Sequence, residues 1–168
     1  MPHPELEYAM SPDAVADLDD ASRDELAERR HRLTAVEEQV SYLRRVAQSR
    51  VDVARSELDA RAAGRQRSDL SDIIRRLPEV LSEHGNSHGM PGVAAPDIDI
   101  DPEYSVDLDT VVSPVRLLDV GTFSRTELRE LVVRLEAEEA RISVQRRLVQ
   151  QRLDQIEEEI ARRDDVRV

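Results

Sequence analysis

Five polar residue types recur at one fixed spacing in two separate segments of the 168-residue chain. The first set consists of Glu37, Ser41, Arg44, Gln48 and Asp52. The second set lies 102 residues further along and consists of Glu139, Ser143, Arg146, Gln150 and Asp154. On an α-helix, which turns about 100° per residue, each set falls within an arc of roughly 80°. The spacing therefore predicts two helices, each with a polar strip of carboxylate, hydroxyl, guanidinium and amide groups along one side.

The side chains of the polar strips suit a nucleotide that contains guanine. A guanidinium group donates two hydrogen bonds to the O6 and N7 atoms of guanine, and a carboxylate accepts from the N1 and N2 hydrogens. Ser and Gln can hold phosphate or ribose oxygens, and Arg offsets phosphate charge. Two copies match a ligand with two guanines, two phosphates and two-fold symmetry, and cyclic di-GMP is such a ligand. A charged strip is also common on a solvated helix face, so a purely structural coiled coil is the alternative.

Two capping boxes mark the starts of the helices that must carry the polar strips. In such a box a Ser side chain accepts from the backbone N–H of a Glu three residues later, and that Glu accepts from the Ser N–H. The boxes are Ser22-Arg23-Asp24-Glu25 and Ser124-Arg125-Thr126-Glu127. They predict a first helix over residues 22–63, ended by Gly64, and a second helix over residues 124–164.

An apolar stripe runs beside each polar strip with the three-and-four alternation of a coiled-coil seam. In the first helix it consists of Leu26, Leu33, Val36, Val40, Leu43, Ala47 and Val51. In the second helix it includes Leu128, Leu131, Leu135, Ile142, Val149, Leu153, Ile156 and Ile160. An offset of 102 residues aligns the two helices without a gap, with identical residues at seventeen of forty positions. The helices are therefore copies of one duplicated unit that pair through their stripes.

The segments outside the two helices carry weaker patterns. Residues 1–21 hold three Pro and are acidic, which predicts a disordered arm. The connection over residues 64–123 begins with a predicted short amphipathic helix at about residues 68–81, followed by a Gly- and Pro-rich linker. From residue 97 the connection is acidic and apolar by turns, and we expect it to be irregular and extended. Its length predicts packing on the coil or on a partner.

Two sets of potential metal ligands lie in the connection, and neither fits a metal site. His84 and His88 have a spacing that binds metals on a helix, but the Gly residues beside them disfavour a helix. A second set has the spacing that begins a calcium-binding loop and consists of Asp97, Asp99 and Asp101. Pro102 and Leu108 stand where that loop needs its turning Gly and its bidentate Glu. The sequence therefore predicts no bound metal.

Composition and charge exclude further function classes. A formal net charge of −12 argues against a general nucleic-acid binder, because phosphate contacts need a basic surface. No Cys is present for disulfides or thiolate metal sites. No apolar run approaches the ~20 residues that span a bilayer, and no signal-peptide pattern is visible, so we expect a cytoplasmic protein. Neither a glycine-rich phosphate loop nor a nucleophile elbow occurs, so we expect no enzymatic activity.

The spacing Glu-x3-Ser-x2-Arg-x3-Gln-x3-Asp, once on each of two coiled-coil helices, resembles the signature of the RsiG family. All five positions match in each set. Two sets in one chain resemble the monomeric arrangement of that family rather than single-motif relatives that would have to dimerise. The resemblance covers about half the chain, since residues 1–21 and the connection carry no motif that matches.

The resemblance carries expectations for fold and function. With the patterns above it implies an all-α fold: a long antiparallel two-helix coiled coil with a short extra helix and an irregular acidic connection. It implies that the ten polar-strip residues bind a dimer of cyclic di-GMP. It also implies an anti-sigma factor of sporulating actinobacteria that, once loaded, holds the sigma factor WhiG away from RNA polymerase. We expect a monomer outside that complex, with no direct contact to DNA or membrane.

Roles within the polar strips can be assigned by chemical type. Guanine is expected to be read by Arg44, Arg146, Asp52 and Asp154. Phosphate or sugar is expected to be held by Ser41, Ser143, Gln48 and Gln150. Glu37 and Glu139 would take guanine amino groups or orient an Arg. Two other interpretations stay open: a structural adaptor without a nucleotide ligand, and a cyclic-di-GMP effector with a different transcription protein as its partner.

Overall fold

A computed structural model describes residues 3–64 and 101–165 of the chain. The N-terminal part contains α1 (Pro4–Met10), a 3₁₀ turn (Pro12–Val15) and the long helix α2 (Arg23–Ala62). The C-terminal part contains α3 (Pro102–Val111), α4 (Pro114–Leu118), a 3₁₀ turn (Val120–Thr122) and the long helix α5 (Arg125–Asp165). These described ranges contain no strand, and the predicted all-α fold is confirmed. The predicted helix at residues 68–81, both linker His residues, Asp97 and Asp99 lie outside the described residues.

Both long helices begin at the predicted capping boxes. The Ser22 backbone N–H donates to Glu25 Oε2 at 2.6 Å, and the Glu25 N–H donates to Ser22 Oγ at 3.2 Å. Ser124 and Glu127 make the same two bonds at 2.6 and 3.2 Å. The pKa of Glu25 and that of Glu127 are lowered, because the backbone N–H of the capping Ser stabilises each carboxylate. α2 ends just before Gly64, whose φ of +73° a Gly adopts without strain.

The described residues divide into two compact units. Unit 1 comprises residues 3–43, 101–104 and 141–165, and unit 2 comprises residues 44–64 and 105–140. Each unit therefore holds one part of α2 and one part of α5.

In unit 1 the two long helices pack antiparallel. Arg23 at the start of α2 pairs with Asp164 at the end of α5, whereas Arg146 Nε donates to Ser41 Oγ at 2.7 Å. The buried seam residues are Leu26, Leu33, Val36, Val40, Leu43, Ile142, Val149 and Ile156. Leu153 and Ile160, predicted for the same seam, are half-buried. The apolar stripes therefore meet as predicted.

Residues 3–21 of unit 1 form a folded segment where the sequence predicted a disordered arm. α1 starts at Pro4, and the His3 ring accepts from the Glu5 N–H at 3.2 Å. Pro is well suited to the first position of a helix, so its presence did not exclude one. The segment packs through its apolar residues Leu6, Ala9, Ala14 and Ala21, which are buried. The four buried positions are spaced too irregularly along the sequence to give a clear helical period.

Arginine side chains from the long helices hold this folded segment through its backbone carbonyls and through two of its side chains. Arg29 donates to the Ala16 carbonyl at 2.6 Å, and Arg163 donates to the Leu18 carbonyl at 2.6 Å. Arg32 forms an ion pair with Glu5 and lies 3.7 Å over the ring of Tyr8. Each contact gives a loop carbonyl or acid a charged donor, which replaces the water lost on packing.

In unit 2 the long helices are again antiparallel. Gln48 Nε2 lies 3.3 Å from Glu139 Oε1, and Arg55 Nη2 lies 2.6 Å from Glu136 Oε1. The buried seam in this unit consists of Ala47, Val51, Val53, Ala54, Ala60, Leu128, Leu131, Val132 and Leu135. Val53 and Leu128 form a core cluster with Val120, against which Phe123 packs.

The acidic stretch that we expected to be irregular and extended is helical over residues 102–111 and 114–118. Pro102 and Pro114 occupy first helical positions, and Ser113 Oγ accepts from the Arg116 N–H at 3.2 Å. Leu108 and Val112, one turn apart, are buried. Alternating Asp residues hid this helical spacing in the sequence.

A buried guanidinium fixes the end of α3. Arg50 is 6% exposed and donates to the Val112 carbonyl at 2.8 Å. Its Nη2 also lies 2.6 Å from Asp109 Oδ1.

None of the helices described is long and apolar enough to cross a bilayer.

A second guanidinium closes the turn before α5. Arg61 donates to the Gly121 carbonyl at 2.9 Å and to the Phe123 carbonyl. Its Nε lies 2.6 Å from Glu57 Oε1, and the Glu57 side chain is only 2% exposed. Breaking a buried ion pair by removing one partner is costly, because the remaining charge stays out of water.

Replacing Arg61 with Ala is therefore expected to lower the free energy of unfolding of the protein by about 3 kcal/mol. Chemical denaturation followed by circular dichroism would measure this change. The matched control is Arg134→Ala at an exposed position on α5, where we expect a change of about 0.5 kcal/mol or less. Equal effects of the two substitutions would contradict a structural role for Arg61.

The carboxyl of Glu159 near the end of α5 has a pKa of about 2, because hydrogen bonds from Arg162 and Arg163 stabilise its charged form. With an unfolded value near 4.5, its contribution to stability is present above pH 4.5 and is lost as the pH falls toward 2. A carbon-detected NMR titration should find the carboxylate still ionised at about pH 3. In Arg162→Ala/Arg163→Ala protein its titration should move up toward pH 4.5, and an unmoved titration would show that the two Arg residues do not lower this pKa.

Candidate functional site

In unit 1, one carboxylate oxygen gathers polar-strip groups from both helices. Glu37 Oε1 accepts from Ser41 Oγ at 2.8 Å, one turn along α2. From α5, Gln150 Nε2 donates to the same oxygen at 3.0 Å, and Arg146 Nε lies 3.2 Å from it. Arg146 Nε also donates to Ser41 Oγ. We call these four residues the unit 1 cluster.

In unit 2, the Glu–Arg and Glu–Gln contacts form again with the roles of the helices exchanged. Glu139 Oε1 on α5 lies 3.2 Å from Arg44 Nε on α2. The same oxygen accepts from Gln48 Nε2 at 3.3 Å. Arg44, Gln48 and Glu139, called the unit 2 cluster, correspond to Arg146, Gln150 and Glu37 at an offset of 102 residues. The duplicated sequence therefore makes the same Glu–Arg–Gln arrangement once in each unit.

The two clusters are partly withdrawn from water. The side chains of Glu37 and Glu139 are 19% and 23% exposed, and those of Arg146 and Arg44 are 33% and 34% exposed. A fully solvated strip would leave such side chains mostly exposed. Ion pairs of this accessibility contribute about 1 kcal/mol or less, since water competes for both partners. The pairs therefore orient their groups and can be exchanged at small cost.

A pocket of about 330 Å³ lies beside the unit 2 cluster. Its lining residues are Gln48, Val51, Asp52, Arg55, Glu136 and Glu139. The volume falls at the lower end of the range of about 300–1,000 Å³ found for small-molecule sites. Three predicted site residues thus face a cavity together.

The other two predicted site residues belong to unit 1. Ser143 is half-buried, and Asp154 is exposed on the surface of α5. The structure therefore brings Glu37, Ser41, Arg146 and Gln150 together in unit 1, and Arg44, Gln48, Asp52 and Glu139 together in unit 2.

Arg55 and Glu136 also line the unit 2 pocket, although the repeated pattern in the sequence did not predict them. Arg55 lies three residues after Asp52, and Glu136 lies three residues before Glu139, so helical spacing places each beside the polar strip. The repeat did not reveal them, because the positions 102 residues away hold different residue types. Helical spacing alone was the signal that could have found them.

Each cluster holds a guanidinium, a carboxylate and an amide in one place, and these groups can recognise a ligand through hydrogen bonds. Such a set can donate to acceptor pairs and accept from donor pairs, as guanine and phosphate require. Across residues 3–64 and 101–165, no group of three or more His, Asp or Glu side chains is placed to hold a metal ion.

A family model described as RsiG-like matches residues 12–81 and 114–168, and no curated protein matches the chain. The matched ranges cover well over half of the sequence and contain both capping boxes and all ten polar-strip residues. The spacing of the polar strips predicted this result, and the chain belongs to the RsiG-like family.

Proposed function

We propose that this protein is an anti-sigma factor that binds a dimer of cyclic di-GMP through its polar strips and then holds a sporulation sigma factor, WhiG, away from RNA polymerase. Family membership by itself supports an anti-sigma factor that is not an enzyme and whose partner is a sigma factor. The ligand, the identity of the sigma factor and the cytoplasmic location are parts of the proposal.

The observation that supports the ligand most strongly is the repeated Glu–Arg–Gln arrangement. Each cluster places a guanidinium and a carboxylate side by side, with Arg146 beside Glu37 in unit 1 and Arg44 beside Glu139 in unit 2. A guanine base needs both groups, because it presents an acceptor pair at O6/N7 and donors at N1 and N2. Two equal arrangements suit a messenger with two guanines.

Ligand binding in this proposal exchanges weak partners for stronger ones. The existing Arg–Glu pairs are about one-third exposed on the Arg side and contribute little. Hydrogen bonds from a guanidinium to phosphate or to a guanine edge are worth about 1.5–3 kcal/mol each. The Glu released from an Arg can then accept from guanine N1–H or N2–H₂. The exchange therefore favours the loaded form.

The charge of the ligand has to be offset locally. Two molecules of cyclic di-GMP carry about four negative charges, and the chain as a whole has a net charge of −12. The clusters supply Arg44 and Arg146, and the adjacent Arg45 and Arg147 are exposed on the same helices. If the sigma factor binds only the loaded coil, each binding event strengthens the other, and the messenger concentration sets the fraction of sigma factor held.

The structural-adaptor interpretation is less well supported. It requires a solvated polar strip, whereas Glu37 and Glu139 are four-fifths covered and accept bonds from the opposite helix. A cyclic-di-GMP effector with another transcription partner is compatible with the same clusters, and a binding assay with WhiG distinguishes it.

Isothermal titration of the full chain with cyclic di-GMP is expected to show binding of two molecules per chain. Arg44→Ala/Arg146→Ala should weaken binding by about a hundredfold or more, because both guanidinium contacts are lost. The control is Arg125→Ala/Arg134→Ala, which removes the same charge at exposed positions outside the polar strips. Absence of binding by the wild type would refute the cyclic di-GMP part of the proposal.

Capture of WhiG by this protein is expected to depend on cyclic di-GMP. In a pull-down and in fluorescence anisotropy, adding the messenger should tighten binding by about tenfold or more. In vitro transcription from a WhiG-dependent promoter should fall when both protein and messenger are present. Messenger binding without a change in WhiG affinity would point to a different partner.

A further inference from the structure

A charged pair outside the polar strips lines the unit 2 pocket. Arg55 Nη2 and Nε lie 2.6 and 3.0 Å from Glu136 Oε1. The side chains are 55% and 40% exposed, so the pair borders both the pocket and the solvent. Neither residue belongs to the repeated set of ten.

The charges around this pocket favour a guanine base over a phosphate group. Of the described residues that line it, Arg55 carries the one positive charge, and three carry carboxylates: Asp52, Glu136 and Glu139. A phosphate would meet like charges on most sides. A guanine base would offer its N1 and N2 hydrogens to the carboxylates and its O6 and N7 atoms to the guanidinium.

We infer that the unit 2 pocket takes a guanine base and that Arg55, oriented by Glu136, binds the O6/N7 edge of that base. This inference rests on the proposed function, since the guanine is that of the bound cyclic dinucleotide. Val51, which is buried and lines the pocket, gives the face of the base an apolar contact. Arg55 adds to the Arg44–Glu139 pair of the proposed function, in which Arg44 Nε lies 3.2 Å from Glu139 Oε1.

The duplicated sequence makes this contact specific to unit 2. At the offset of 102 residues, Glu157 corresponds to Arg55, and Thr34 corresponds to Glu136. Unit 1 therefore has a carboxylate and a hydroxyl at the positions where unit 2 has the guanidinium–carboxylate pair. The two copies of the site consequently differ in affinity for guanine, with the extra contact on the unit 2 copy.

Titration of the full chain with cyclic di-GMP tests this inference through Arg55→Ala, Arg55→Lys and the matched control Glu157→Ala. A bidentate contact to a base edge contributes enough that Arg55→Ala should weaken binding roughly tenfold or more. Arg55→Lys should lose a similar amount, because it keeps the charge but not the fork. Glu157→Ala, at the equivalent exposed position of α5, should change affinity by about twofold or less. Competition with cyclic di-AMP should show a smaller preference for guanine in both Arg55 variants than in the wild type.

Wild-type binding together with Arg55→Ala affinity within about twofold of wild type would overturn the inference and leave the proposed function intact. Full retention of affinity and guanine preference by Arg55→Lys would show that charge alone acts, and would also overturn it. No binding by the wild type would refute the proposed function itself. Circular dichroism of the variants should match the wild type, because an ion pair this exposed contributes little to folding.

Discussion

In each unit a single carboxylate oxygen holds the polar groups of the two long helices. Glu37 Oε1 accepts from Gln150 and lies beside Arg146, and Glu139 Oε1 accepts from Gln48 and lies beside Arg44. The apolar seam brings the helices together, but it would tolerate many residues on its flank. The carboxylate brings a guanidinium and an amide within 3.3 Å of one of its oxygens. The proposed binding of a guanine base depends on that placement, because recognition of a planar base requires donors and acceptors at fixed positions.

The energy of these contacts is suited to exchange rather than to permanent structure. A pair such as Arg146–Glu37, with side chains one-third and one-fifth exposed, contributes on the order of 1 kcal/mol or less. By contrast, the Arg61–Glu57 pair is 11% and 2% exposed and is committed to the turn before α5. Arg–Glu pairs thus serve both an exchangeable contact and a structural one, and the degree of burial of the pair distinguishes the two. A nearly buried pair cannot release its charge to a ligand, whereas a half-buried one can, because water and ligand both reach it.

Local sequence signals predicted the parts of the fold that local chemistry determines. Both capping boxes and the seam positions from Leu26 to Ile156 are where the pattern indicated. Residues 3–21 and 102–118 were missed, since their order depends on tertiary contacts such as Arg29 to the Ala16 carbonyl and Arg50 to the Val112 carbonyl. An Arg that satisfies a distant carbonyl leaves no periodic trace in sequence. For the site, the repeat revealed the shared residues and concealed Arg55 and Glu136, which only one copy has.

Duplication within one chain permits the two copies to differ. In a symmetric homodimer each substitution appears twice, so both sites change together. In this chain Arg55 and Glu136 stand opposite Glu157 and Thr34 in the repeat, so one copy can gain a base contact while the other keeps the common set. A symmetric ligand would then meet two unequal sites, and the stronger one would fill at lower messenger concentration. If the polar strips bind the messenger as proposed, the onset of sigma-factor capture would be governed by the unit 2 copy and its completion by the unit 1 copy.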